Sequence, residues 1–145
     1  AATTAAETDA PQAERTDVQK LLDAALNSTE FPIMMMEGTD RAENLEYLGV
    51  DESLVEDYAF SQCGITTSIS EVVIIKAKSG SEKEVKEQLQ AHKQALIDTY
   101  AWYPAQIEEA NNTVVGTKDS YVFLVCHTEP DDAVDAIKDE IKKLA

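Results

Sequence analysis

Two stretches of this sequence, EVVIIKAK at residues 71–78 and YVFLVCH at 121–127, are apolar on both of the faces that an extended chain presents. Successive side chains of a strand point to opposite sides, so in the first stretch Val73, Ile75 and Ala77 face one way and Val72 and Ile74 the other. Such strands belong in the middle of a sheet, not at a wetted edge. Two further segments read as their partners. Residues 58–63 alternate Tyr58, Phe60 and Gln62 with Ala59, Ser61 and Cys63, and TVVGT at 113–117 is joined to YVFLVCH by Lys118-Asp119-Ser120, the pattern of a hairpin.

Between and around these strands the apolar period changes to that of helices. Thr16 and Gln19 have capping-box spacing, and Val18, Leu21, Leu22, Ala25 and Leu26 follow on one face. FPIMMME at 31–37 is too short for its period to separate strand from linker, and its methionines suit an irregular core gap. Residues 39–48 read as a short helix stopped by Gly49, and Asp51 opens about one more turn. Ser81 and Glu84 form a second capping-box spacing, ahead of the longest helix. Along it Val85, Leu89, His92, Leu96, Tyr100 and Tyr103 make one stripe, expected to be buried, until Pro104 ends or kinks the helix. A last helix opens at residues 128–131 and carries Val134, Ile137, Ile141 and Leu144 on one face. The order α-α-β-β-α-β-β-α predicts an α+β domain, an antiparallel sheet of about four strands with helices packed on it.

The chain has 145 residues and a formal net charge of -16, with 28 acidic against 12 basic side chains. One domain, residues 16–145, is expected, preceded by a flexible Ala/Thr-rich leader over 1–15. The acidity excludes a sequence-independent grip on nucleic acid, which needs clustered Lys and Arg, and disfavours anionic membrane surfaces. No apolar run approaches the roughly 20 residues of a spanning helix.

Chemistry-bearing residues are few. Cys63, Cys126, His92 and His127 are the only cysteines and histidines, and neighbouring Cys126 and His127 point to opposite sides of their strand, which disfavours a metal site built from the four. No cofactor is expected: there is no phosphate-cradling glycine loop, and Asp131, Asp132 and Asp135 lack calcium-loop spacing. The Ser/Thr/Gly-rich loop 61–70 is the place where a hydrolase would have to find its nucleophile. The most unusual local feature is YAWYP at 100–104, which holds the only tryptophan. Tyr100 and Tyr103 fall on the stripe; Trp102 projects about 100° from it and is expected to pack on a nearby loop or on Pro104. The competing reading is an exposed contact surface, which makes Trp102 and Tyr103 the candidate ligand-binding residues.

The runs YLGVDESLVEDYAFSQ, SEVVIIKAKSGSEKEVKEQL and VVGTKDSYVFLVCHTEPDDAVDAIK, in this order, resemble a family of bacterial lipoproteins common in Firmicutes, domain of unknown function family 4358. The resemblance runs from about Asp17 to Leu144 and rests on packing and turn residues, so it carries over no catalytic position. It implies an exported domain tethered to the outer face of the cell membrane by a lipid on an N-terminal cysteine that this sequence does not include, with a signal peptide and lipobox ahead of Ala1 and the leader as spacer. The expected function is non-enzymatic: binding of a protein partner or small ligand at the cell surface. The alternatives are a hydrolase or other enzyme using loop 61–70 and a structural envelope subunit that associates with itself.

Overall fold

The computed structural model describes residues 14–32, 34–64 and 68–144. Helix α1 (Asp17–Ser28) is followed by strand β1 (Met35–Glu37), helix α2 (Arg41–Leu48), a single 3-10 turn (Glu52–Leu54), and strands β2 (Val55–Cys63) and β3 (Glu71–Ala77). Helix α3 (Glu82–Ala95) then runs into a π-helical turn (Leu96–Tyr100), helix α4 (Pro104–Asn111), the hairpin β4 (Val114–Lys118) and β5 (Tyr121–Cys126), and helix α5 (Asp131–Leu144). The class is α+β. All strand pairs are antiparallel, in the order β1-β2-β3-β5-β4. Among the described residues the sheet therefore has five strands, the additional one coming from the methionine run, whose three paired residues are too few to show a period.

The two strands that are apolar on both faces lie at the centre, β3 between β2 and β5. One face packs on α1 and α5 through Val72, Ile74, Phe123 and Val125 against Leu21, Leu22 and Ile137. The other packs on α2, α3 and α4 through Val73, Ile75, Val122 and Leu124 against Leu48, Leu89 and Ala110. Each face follows from strand alternation, and each covering helix from its apolar stripe. In the β4–β5 pair Gly116 lies opposite Phe123, whose ring would be 2.7 Å from a Cβ at that position. The glycine lets the phenylalanine lie across the neighbouring strand.

The local signals operate with one exception among the caps. Thr16 and Gln19 form the expected reciprocal capping box, Asp40 caps α2, and Gly49 ends α2 in the left-handed region at φ 71°. Ser81 does not cap α3 with its side chain, because its backbone sits at φ -104°, ψ 2° instead of the extended geometry that aims a hydroxyl at the first turn. Of the expected leader only residues 14 and 15 are described; Arg15 pairs with Asp23 of α1 and Glu37 of β1.

The stripe of the long helix does not run to Tyr103. Val85, Leu89, His92 and Leu96 are buried as expected, but Tyr100 is 43 % and Tyr103 66 % exposed. The π-helical turn inserts one residue into the helical repeat and so rotates everything after it by about 100°, swinging Tyr100 off the buried line. Tyr103 then leaves helical geometry altogether and stands before Pro104, which occupies the first position of α4, where its missing N–H costs nothing. Trp102, expected to pack on a loop or on Pro104, is 79 % exposed.

Candidate functional site

At the end of the sheet where β3 begins, the apolar layer under α2 and α3 gives way to polar groups. Glu71 is the first residue of β3 and shares the face of Val73 and Ile75, so strand alternation points its carboxylate into the core. Two helices meet it there. His92 Nε2 of α3 lies 2.5 Å from Glu71 Oε1, and the Tyr47 hydroxyl of α2 donates to Glu71 Oε2 at 3.0 Å. The His92 and Glu71 side chains are 3 % and 2 % exposed. The Tyr47 ring meets the His92 ring edge-on at 4.9 Å, and burial, followed by the nearby Glu71 charge, pushes its phenol well above the usual tyrosine range. Both carboxyl oxygens are thereby bonded, as a buried polar group requires.

A second buried carboxylate lies nearby. Glu109 of α4 accepts from the hydroxyls of Ser68 and Ser70 at 2.6 and 2.7 Å and from the Ile69 N–H at 3.0 Å. It thus clamps the end of the β2–β3 loop against α4. Residues 65–67 of that loop lie outside the described residues. In the hydrolase reading a serine of loop 61–70 needs a base; Ser68 and Ser70 donate hydrogen bonds to the Glu109 carboxylate and Ser61 is buried within β2, while His92 is held by Glu71 and His127 by the Glu30 carbonyl. Cys126 is no better placed for nucleophilic work. Burial first, then the charges of Glu71 and Glu109, push its thiol up to about 12, which keeps it protonated at neutral pH. Cys63 and Cys126 are both buried free thiols.

Above these groups opens a cleft of about 570 Å³. Its floor includes Tyr47, Glu71 and Leu96, and Cys63, Gln62 and Ser68 to Ser70 form one wall. Its exposed rim includes Tyr100, Trp102 and Tyr103. The candidate residues Trp102 and Tyr103 therefore stand together on the cleft, joined by Tyr100, whose ring centroid is 6.1 Å from that of Tyr47.

The rim is fixed by its backbone. Gln106, the third residue of α4, accepts from the N–H groups of Trp102 and Tyr103 at 2.9 and 3.0 Å through one side-chain oxygen. The Trp102 indole N–H donates to the Thr99 carbonyl at 3.1 Å, which sets the orientation of the ring while leaving its surface in solvent. Sequence reasoning placed Trp102 and Tyr103 as candidates but did not find Tyr47, Glu71 or Gln106. For Glu71 a signal existed: a carboxylate at the head of an inward-facing apolar row needs a partner, and His92 sits on the inward stripe of the following helix.

The family model of the domain of unknown function DUF4358 matches residues 27–127, well over half of the chain. That span takes in all five strands, α2, α3, α4 and the whole cleft, and leaves out nearly all of α1 and the whole of α5. No curated protein and no solved structure matches the chain.

Proposed function

The chain belongs to the DUF4358 family, and from that premise we propose that it is a non-enzymatic binding domain of lipoprotein type, held at the outer face of the cell membrane, whose cleft takes a small ligand against Trp102. The observation that carries the binding reading is the rim itself. A tryptophan that is 79 % exposed, with its indole N–H bonded to the chain and two tyrosines beside it, costs solvation without contributing to the core. Exposed aromatic surface grouped at a cleft is the usual mark of a contact site. The cleft volume, about 570 Å³, lies in the range of small-molecule sites, and its polar groups converge from several elements.

The envelope location rests on the family resemblance and on a leader whose composition suits a spacer. Trp102 is the only tryptophan, so its emission reports on the cleft without interference. The test is a titration of a panel of neutral and charged small molecules, followed by Trp102 emission and by the thermal unfolding midpoint, which rises for a ligand that binds only the folded state. Saturable changes in both are expected for at least one class, and emission insensitive to the whole panel would contradict the binding reading. Cell fractionation tests the location separately. The untagged full-length product is expected with the membranes, and recovery from the cytosol would contradict it.

A further inference from the structure

We infer that the ligand of this cleft is a small organic cation with an alkylated ammonium head. The inference rests on the binding reading above and names the chemistry of its ligand. Four aromatic side chains, Tyr47, Tyr100, Trp102 and Tyr103, line the cleft, and among the described residues lining it none is Lys or Arg. The segment that carries the rim, from Gln94 to Asn112, contains Asp98, Glu108 and Glu109 and no basic residue. An anion would thus meet no counter-charge at the rim and would approach a chain with a formal net charge of -16. A cation is drawn in by the same field.

The floor favours the same ligand. Both oxygens of Glu71 are bonded, to His92 and to Tyr47. The Glu71 side chain is also only 2 % exposed, so the floor presents no open carboxylate oxygen to which a primary ammonium would donate directly. An alkylated ammonium has few or no N–H groups to satisfy and is stabilised instead by the negative faces of aromatic rings, the tryptophan face most of all. Exposed Trp and Tyr rings grouped at one rim supply those faces.

The experiment compares choline with its neutral carbon isostere 3,3-dimethylbutan-1-ol, which has the same shape without the charge. Both are titrated into the intact protein at about 0.15 M NaCl, where diffuse attraction to the acidic surface is largely screened. Trp102 emission and calorimetry are the readouts. Saturable choline binding is expected, at least about tenfold tighter than the isostere. By calorimetry Trp102→Leu should lose most of the choline affinity and Trp102→Phe, which keeps a ring face, should retain part of it. Equal binding of choline and the isostere would overturn the cation assignment and leave the cleft as an apolar site. No saturable choline binding would also overturn it, and the response to the neutral members of the panel then decides whether the binding reading survives. Choline binding unchanged in Trp102→Leu would overturn the assignment to this cleft.

Discussion

The face of the sheet under α1 and α5 and the face under α2, α3 and α4 start from the same alternation of β3 and β5, yet they end differently. On the first, Phe123 and its apolar neighbours are sealed beneath an amphipathic helix pair. On the second, the apolar rows reach a pair of buried carboxylates, Glu71 and Glu109, and then an open cleft with exposed rings. The match to DUF4358 covers the second side and leaves most of the first side's helices outside it. The difference teaches where function can be sought. A sealed face gains stability from every buried atom, whereas buried charge and exposed aromatic rings are costs that a fold carries only where something else requires them.

That contrast can be broken first at its strongest point. Phe123 is fully buried on the sealed face, so Phe123→Ala should destabilise the protein by about 4 kcal/mol in urea unfolding while leaving the cleft rim in place. A loss under about 1 kcal/mol would mean that this face is not the tight layer described. Next comes the charged end of the other face. His92→Ala leaves the Glu71 carboxylate buried with only the Tyr47 hydroxyl, and a cost of about 3 kcal/mol is expected. An unchanged denaturation midpoint would show that water reaches Glu71 and that the pair is not sealed.

Tyr47→Phe removes one hydrogen bond to the same carboxylate without emptying the ring's space, and about 2 kcal/mol is expected. Thermal unfolding of this variant beside His92→Ala and the double variant sharpens the comparison, because two partners of one carboxylate should be strongly non-additive. Simple addition would separate Tyr47 from the pair.

Alkaline pH probes Cys126, whose thiol is raised by burial and further by the charges of Glu71 and Glu109. Its thiol is raised from 9.0 to about 12 in the folded protein, so above pH 9 the unfolded chain holds fewer protons than the native one, and stability falls as pH rises towards 12. By pH 10 the expected loss from this group is about 1 kcal/mol, absent at pH 7 and absent in Cys126→Ala. Identical alkaline profiles for the two proteins would contradict the burial of that thiol.

The frame of this fold was legible because it depends on local periods. Val72 to Ala77 and Tyr121 to Cys126 announce central strands, Thr16 and Gly49 mark helix ends, and the hairpin needs only its two-residue turn. The site was legible only in pieces. Glu71 and His92 each lay on an inward row, but what joins them is the docking of α3 on β3, which no local period encodes. The rim was misplaced for a different reason: one residue added by the π-helical turn at Leu96–Tyr100 shifts the phase of every later position, and a repeat of 3.6 gives no warning of it. Burial of Trp102 was inferred from its neighbours in sequence, whereas its surroundings are set by Gln106 and Thr99 holding the backbone and the indole in a loop.

The central claim is that the aromatic rim serves binding and not folding, and Trp102→Ala tests it most directly. Urea unfolding followed by circular dichroism, which does not need the lost fluorophore, should place this variant within about 0.5 kcal/mol of the parent chain, as for other exposed positions. A loss of about 2 kcal/mol or more would contradict the claim and make Trp102 a packing residue of the fold.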